Sequence, residues 1–238
     1  MSGTEASSKS SRAKSAKLFA RDVVIIVLAA ILISFLVKTF LVRSFYIPSP
    51  SMESTLDVGD RILVNELEPK LIAIQRGDVV VFRDPGGWLP TYDDTRNALA
   101  KGIDSVLGVI GLTAPDSNDH LIKRVIGLPG DHVTCCGTTG QVTVNGIPLD
   151  EPYIEVTDAA AAAAPDEFDI TVPEGKLWVL GDNRYDSADS LNHYTLGDPG
   201  GGMVPIDNVV GRAFVTTWPI SRWTWLDNYP DVFAGTGN

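Results

Sequence analysis

The sequence predicts a mainly β domain of antiparallel sheets, preceded by one N-terminal transmembrane helix. A mainly apolar stretch at residues 23–42, interrupted only by Lys38 near its outer end, has the length that a helix needs to span about 30 Å of bilayer hydrocarbon. Downstream, short β-branched runs alternate with turn-forming residues and lack regular helical segments between them, which favours antiparallel sheets. The dipeptide Asn145-Gly146, between two apolar runs, indicates a hairpin.

The N-terminal segment predicts an uncleaved membrane anchor. Its basic residues precede the apolar stretch, which places the N-terminus in the cytoplasm; they are Lys9, Arg12, Lys14, Lys17 and Arg21. Bulky residues follow the stretch, where a cleaved signal peptide needs small ones. We therefore predict a cytoplasmic tail at 1–22, a transmembrane signal-anchor at 23–42 and an extracytoplasmic domain at 43–238, with a buried helix of a soluble protein as the alternative.

The predicted extracytoplasmic domain is strongly acidic. After Arg43 the chain has 12 Lys+Arg against 28 Asp+Glu, and the whole chain has a formal net charge of −11 at pH 7. Such a domain is repelled by phosphate backbones, which excludes nucleic acid as a partner.

Seven strand-like runs follow the anchor, each beside turn-forming residues. They lie at 61–64, 78–82, 121–126, 132–135, 141–144, 176–180 and 209–217. Two insertions interrupt them. The first, at about 84–119, contains a helix-like patch at 97–110, and the second, at about 157–168, contains six consecutive alanines. We expect both insertions to lie on the surface.

The two cysteines, Cys135 and Cys136, are adjacent in the sequence. An extracytoplasmic compartment permits disulfides, but pairing of neighbours closes a strained ring. Two ligands also do not make a structural zinc site. We therefore favour two small, half-buried strand residues and no metal. Near the C-terminus, the aromatic stretch with Trp218, Trp223 and Trp225 is typical either of a core or of contact with a membrane interface.

Ser51 and Lys123 are the best candidates for chemistry. Pro48 and Pro50 hold the first segment extended, with the small hydroxyls of Ser49 and Ser51 on it, although a serine nucleophile needs a base. Lys123 lies in an apolar run, where burial would lower its pKa from about 10.4 and yield a neutral base. The alternative is a lysine at a sheet edge, with its amine in water.

The three histidines, His120, His132 and His193, offer no better base. His132 follows a Pro-Gly-Asp turn in a strand pattern, and His193 lies in a polar loop. Neither has a persuasive acidic partner, so the sequence disfavours a Ser-His-Asp triad.

Four motifs occur in a fixed order after the anchor: SPSMESTL at 49–56, RGDVVVF at 76–82, LIKRVIGLPGD at 121–131 and GDNRYDSADS at 181–190. Together they resemble the sequence boxes of the bacterial type I signal peptidases, and the resemblance covers residues 23–223. The stretch VVGRAFVTTWPISRW at 209–223 is similar to the actinobacterial branch.

This resemblance implies a membrane-anchored serine endopeptidase with a signal-peptidase-like catalytic domain. It would remove signal peptides from secreted preproteins after small-x-small sites, through an acyl-enzyme and without a cofactor or metal. The resemblance assigns Ser51 as nucleophile and Lys123 as general base. It also assigns Ser49 to the oxyanion hole and Ser187 as the hydroxyl that holds the lysine amine.

The resemblance further implies a polar network around the site, formed by Asp182, Arg124 and Asp189. It implies shallow apolar pockets whose walls are Phe45, Ile47, Met52, Leu56, Ile62 and Ile122. The alanines at 159–164 suit such pockets, which makes them a candidate self-cleavage site.

The chain departs from the family pattern at two positions. Ser54 stands where the family usually has proline, and Leu191 stands where many members have an arginine that pairs with the residue corresponding to Asp189. The alternative to an enzyme is a membrane-anchored, β-rich binding or scaffold protein.

Overall fold

A computed structural model describes residues 18–34, 41–89, 119–136, 140–154 and 163–237. The chain forms two compact units, and the division falls between Leu41 and Val42. Residues 35–40 of the predicted membrane segment, the helix-like patch at 97–110 and the alanines at 159–162 lie outside the described residues.

Residues 18–34 form helix α1, whose side chains are exposed. This segment lacks proline and glycine, the residues that disfavour helix most. Within the described ranges, we find no helix that has both the length and the apolarity needed to cross a membrane.

The second unit is built from twelve described strands and one short helix, α2 (Ser190–Thr195), which follows β9. The strands are β1 (Val42–Tyr46), β2 (Arg61–Asn65), β3 (Val79–Arg83), β4 (His120–Gly127), β5 (His132–Cys135), β6 (Thr143–Val144), β7 (Ile147–Pro148), β8 (Phe168–Thr171), β9 (Lys176–Leu180), β10 (Val204–Pro205), β11 (Val209–Trp218) and β12 (Thr224–Trp225).

The larger sheet has eight strands in the order β1-β2-β11-β3-β4-β9-β10, with β12 also paired to β11. Each of its strand pairs is antiparallel. Alternate residues of β3 enter two different apolar clusters, Val79 and Val81 in one and Val80 and Phe82 in the other. Both faces of the sheet are therefore covered at its centre, which explains why β3 and β4 have continuous apolar runs.

The smaller sheet has four antiparallel strands in the order β7-β6-β5-β8. Asn145 and Gly146 join β6 to β7 with φ values of 53° and 80°. Positive φ at both central residues is the requirement of a type I′ turn. The predicted hairpin is therefore confirmed.

The antiparallel β architecture predicted from the sequence is confirmed. Each of the seven predicted runs contains a strand, with bounds that differ by two residues or fewer. The sequence did not predict β1, β8, β10, β12 or α2. Val42, which we assigned to the membrane segment, is the first residue of β1.

Two expectations about smaller segments were wrong. Cys135 and Cys136 form a disulfide, and both are buried in the apolar cluster of the smaller sheet, where water is excluded. Ala163 and Ala164, expected on the surface, are buried in the same cluster. Peptide bonds between buried residues are inaccessible to a protease, so these two alanines do not form a self-cleavage site.

The C-terminal tryptophans are not core residues. Trp218, Trp223 and Trp225 are 54%, 53% and 64% exposed. Trp223 and Trp225 contact each other edge to face, with ring centroids 5.5 Å apart. The interpretation of this stretch as part of a core is therefore wrong. Its tryptophans lie on the surface of the fold.

Candidate active site

Ser51 lies just after β1, where the chain leaves the larger sheet. Ser49 is extended, with φ −131° and ψ 156°, and Pro50 then starts a 3-10 turn that runs from Pro50 to Met52. Proline suits this first position because its ring fixes φ and its missing N–H is not needed there. Ser51 is thus buried in a tight turn, whereas the two prolines had predicted an extended segment at this position.

Lys123 lies in β4, between β3 and β9 in the larger sheet. Its side chain is 3% exposed. The alternative of an edge lysine with its amine in water is therefore wrong. A lysine in this position is forced into the interior because its strand is covered on both faces.

The structure brings the two candidate residues together. Lys123 Nζ lies 2.6 Å from Ser51 Oγ, and this contact is buried. Ser49 Oγ lies 3.3 Å from Ser51 Oγ on the approach to the turn. One serine hydroxyl therefore has a primary amine and a second hydroxyl within hydrogen-bonding distance.

Burial lowers the pKa of Lys123 from its ordinary value of 10.5 to about 8. Removal of the ammonium group from water is the main cause, because desolvation penalises the charged form. The negative charges of Asp189, Asp182 and Asp186 act in the opposite direction and raise this pKa. A substantial fraction of the amine is consequently neutral in mildly alkaline solution.

Arg124 and Asp182 form a fully buried ion pair behind this contact. Arg124 Nε donates to Asp182 Oδ1 at 2.9 Å and Nη2 donates to Asp182 Oδ2 at 2.7 Å. The rings of Tyr153 and Tyr229 flank the guanidinium, at 4.0 Å and 5.3 Å from its central carbon. Thr55 also donates to Asp182. Sequence reasoning missed Thr55 and both tyrosines, although Thr55 belongs to the first motif.

Asp189 caps helix α2 and supports the preceding loop. Its Oδ1 accepts from Leu191 N at 3.0 Å and from Asn192 N at 3.4 Å, and its Oδ2 accepts from Gly181 N at 2.9 Å. Leu191 is buried in the apolar cluster of the smaller sheet. Backbone amides therefore take the place of the arginine that this chain lacks.

Ser187 does not hold the lysine amine in this structure. Within the described residues, its buried Oγ has no hydrogen-bond partner. The hydroxyl lies against Gly181, where an added methyl group would overlap both Ser187 Oγ and the carbonyl oxygen of Ser51. Ser187 thus packs near the backbone of Ser51, and its expected hydrogen bond with the Lys123 amine is absent.

Ser54, the other departure from the family pattern, has a φ of 83°. Proline cannot adopt this conformation because its ring fixes φ near −65°. The turn after Ser51 therefore follows a path that requires a residue other than proline at position 54.

An apolar depression opens beside β1 and β4. Its lining includes four of the six predicted pocket residues, Phe45, Ile47, Ile62 and Ile122, together with Tyr46, Pro48, Val81, His120 and Leu121. Met52 and Leu56 belong to the same buried cluster but lie outside this lining. The depression has the apolar character expected of a site for a small aliphatic side chain.

Among the described residues, no histidine hydrogen-bonds to Ser51. His193 is not in a polar loop, as the sequence suggested, but in α2, where its Nδ1 lies 2.6 Å from Asp198 Oδ2 and its ring stacks on Trp88. His132 is exposed and pairs with Asp169. Among all residues that the structure describes, no three His, Cys, Asp or Glu side chains are grouped so that they could hold a metal ion.

The family model and the sequence relatives agree on one family. The family model described as signal peptidase, peptidase S26, matches residues 20–218. A probable signal peptidase I of Mycobacterium leprae is 43% identical over 200 residues, covering 74% of this chain and 68% of that protein. Signal peptidase I of Mycobacterium tuberculosis is 41% identical over 221 residues, covering 85% and 74%. A crystal structure of a signal peptidase I from Enterococcus faecalis shares 23% identity over 58% of this chain and 95% of that chain, with a TM-score of 0.37.

The influence of nearby carboxylates on the pKa of Lys123 can be tested by removing the negative charge of one of them. Asp186 raises the pKa of Lys123, so Asp186→Asn should lower this pKa below about 8. The measurement is the pH titration of the Lys123 ¹³Cε NMR shift in the full chain. Asp207→Asn, a change of an exposed carboxylate that does not act on Lys123, is the control and should leave the pKa unchanged. A rise in the pKa with Asp186→Asn would contradict the account.

Proposed function

Because the chain belongs to the bacterial type I signal peptidases of family S26, we propose that it removes signal peptides from secreted preproteins with a catalytic dyad of Ser51 and Lys123. The chain is a peptidase, an enzyme of the hydrolase class. Membership of this peptidase family excludes the alternative hypothesis of a non-enzymatic binding or scaffold protein. The mycobacterial relatives also agree with the actinobacterial branch suggested by the sequence.

The observation that carries the proposed mechanism is the buried 2.6 Å contact between Lys123 Nζ and Ser51 Oγ. In the first step, Ser51 Oγ attacks the carbonyl carbon of the scissile bond while the neutral amine of Lys123 takes the hydroxyl proton. The resulting ammonium group then protonates the leaving amine, which departs and leaves an ester on Ser51. In the second step, Lys123 takes a proton from water while the water oxygen attacks the ester carbonyl carbon. The bond between this carbon and Ser51 Oγ then breaks, the cleaved peptide leaves with a free carboxyl group, and the ammonium group of Lys123 returns a proton to Ser51 Oγ.

Ser49 is proposed to stabilise the oxyanion that forms in both steps. Its hydroxyl lies beside Ser51 Oγ, so a carbonyl oxygen held near Ser51 can accept a hydrogen bond from it. The backbone N–H of Ser51 is the proposed second donor. Two such donors favour the transition state, because the negative charge develops between them.

The apolar depression supports cleavage after small-x-small sites. Alternate side chains of an extended peptide point to the same side, so two small residues separated by one position would face the same surface. The depression lined by Phe45, Ile62 and Ile122 is proposed to receive one of them. Met52 and Leu56, buried in the same cluster, are proposed to shape the wall closer to Ser51.

We further propose that residues 23–41 anchor the enzyme in the cell membrane, with the N-terminus in the cytoplasm and the catalytic domain outside. The length of the apolar stretch and the basic residues before it support this topology. The exposed surface of Trp223 and Trp225 suits the membrane interface, where aromatic rings are enriched.

The dyad is tested by three substitutions in the full chain. Ser51→Ala and Lys123→Ala should abolish preprotein cleavage, because one removes the nucleophile and the other its base. Ser49→Ala should lower the rate by ~10²–10³, the usual cost of one oxyanion donor. Cleavage is followed by gel mobility and product mass, and folding is checked by thermal unfolding.

Matched controls for these variants are Ser221→Ala and Lys70→Ala, which change an exposed serine and an exposed lysine. Both should keep full activity. Cleavage at the native rate by folded Ser51→Ala or Lys123→Ala enzyme would exclude the dyad.

The proposed topology is tested by fractionation of bacterial cells that produce the full chain. The protein should remain in the membrane pellet after alkaline carbonate extraction, and protease added outside spheroplasts should digest the domain that follows residue 43. Release of the chain into the carbonate supernatant, or protection of that domain from external protease, would contradict the topology.

A further inference from the structure

A second buried ion pair lies close to the site and has no part in the mechanism above. Arg184 and Glu151 have side chains that are 2% and 1% exposed. Arg184 Nη2 donates to Glu151 Oε1 at 2.6 Å, and Nη1 donates to Glu151 Oε2 at 2.9 Å. Tyr153 also donates its hydroxyl proton to Glu151 Oε1, at 2.7 Å. The carboxylate is therefore fully hydrogen-bonded and held in one orientation.

The arginine joins two separate segments of the chain. Its Nη1 also donates to the carbonyl oxygen of Ala163, at 2.9 Å. Its Nε donates to the carbonyl oxygen of Gly181, at 3.0 Å. The guanidinium group is planar and rigid, so the orientation set by Glu151 also sets the direction of the Nε–H bond toward Gly181.

Gly181 in turn lies directly against the proposed nucleophile. An added methyl group at Gly181 would overlap the Ser51 carbonyl oxygen, which shows how closely the two backbones approach. Two residues later, Asn183 N donates to the Ser51 carbonyl oxygen at 3.2 Å, and Asn183 Nδ2 donates to the Pro50 carbonyl oxygen at 3.3 Å. Residues 181–183 thus pack against the turn that carries Ser51 and hydrogen-bond to its backbone.

We propose that Glu151 and Arg184 are positioning residues for peptide hydrolysis, which hold the loop 181–183 against the backbone of Ser51 and so fix Ser51 Oγ beside Lys123. The inference rests on the proposed dyad. A buried ion pair is itself weak evidence for stability, because desolvation of two charges offsets most of their attraction. The direct contact of the supported loop with Ser51 is what assigns this pair to the site.

The test is a comparison of kcat and KM for preprotein cleavage by the full chain. Glu151→Gln removes the charge that orients the guanidinium, and Arg184→Lys removes the rigid fork but keeps the charge. Each should lower kcat by about 10- to 100-fold, since a displacement of about 1 Å in a reacting group can cost 10²-fold. KM should change less than twofold, because neither residue lines the apolar depression.

The control is Asp131→Asn, which breaks a comparable pair between Arg76 and Asp131, with two contacts of 2.7 Å. Within the part of the chain that the structure describes, the Asp131 carboxylate hydrogen-bonds to Arg76, Leu128 N and Asn145, and not to the loop 181–183 or to Ser51. This variant should have a lower melting temperature but an unchanged kcat when measured below that temperature.

The inference is overturned if Glu151→Gln and Arg184→Lys lower kcat no more than Asp131→Asn does at an equal folded fraction. It is also overturned if neither variant folds, because the pair is then purely structural. Failure of the dyad itself has a separate signature, which is full activity of Ser51→Ala. An inactive Ser51→Ala enzyme together with native kcat in both pair variants would reject this inference alone.

Discussion

The candidate active site is organised around one energetically unfavourable arrangement. The Lys123 amine is held in the interior of the protein, beside the Ser51 hydroxyl. β4 lies in the middle of the larger sheet and is covered on both faces, so the Lys123 side chain has no route to water. The charged amine loses its hydration there, and its pKa falls to about 8. The same sheet position that destabilises the ammonium group therefore favours the neutral amine, which is the form that the proposed dyad requires.

The surrounding charges moderate this effect. Asp189, Asp182 and Asp186 raise the pKa of Lys123, and unopposed carboxylates would restore the charged form. Asp182 is paired with Arg124 in a buried bidentate contact, and Asp189 accepts hydrogen bonds from three backbone amides. Asp182 and Asp189 are thus partly compensated by their own partners. The pKa of Lys123 reflects this balance, with desolvation as the larger effect.

The sequence predicted those parts of the fold and site that are encoded in local patterns. Antiparallel strands and the Asn145-Gly146 hairpin followed from alternation and turn residues, and the family resemblance of the motifs implied a polar network that includes Arg124 and Asp182. The tight turn at Ser51 was not predicted, because two prolines in a short segment also suit extended chain.

Contacts between distant segments could not be predicted. Arg184 and Glu151 are 33 positions apart in the sequence, and only the folded chain brings them together. The missing partner of Ser187 and the burial of Ala163 are also set by tertiary packing.

The most direct test of the central claim is the pH dependence of kcat/KM for preprotein cleavage by the full chain. This constant reports the ionisation of the free enzyme. The account predicts that log kcat/KM rises with unit slope as the amine of Lys123 loses its proton, and reaches a plateau above a midpoint at about pH 8. A flat profile, or a midpoint near the value of about 10.4 for an unperturbed lysine, would contradict the account.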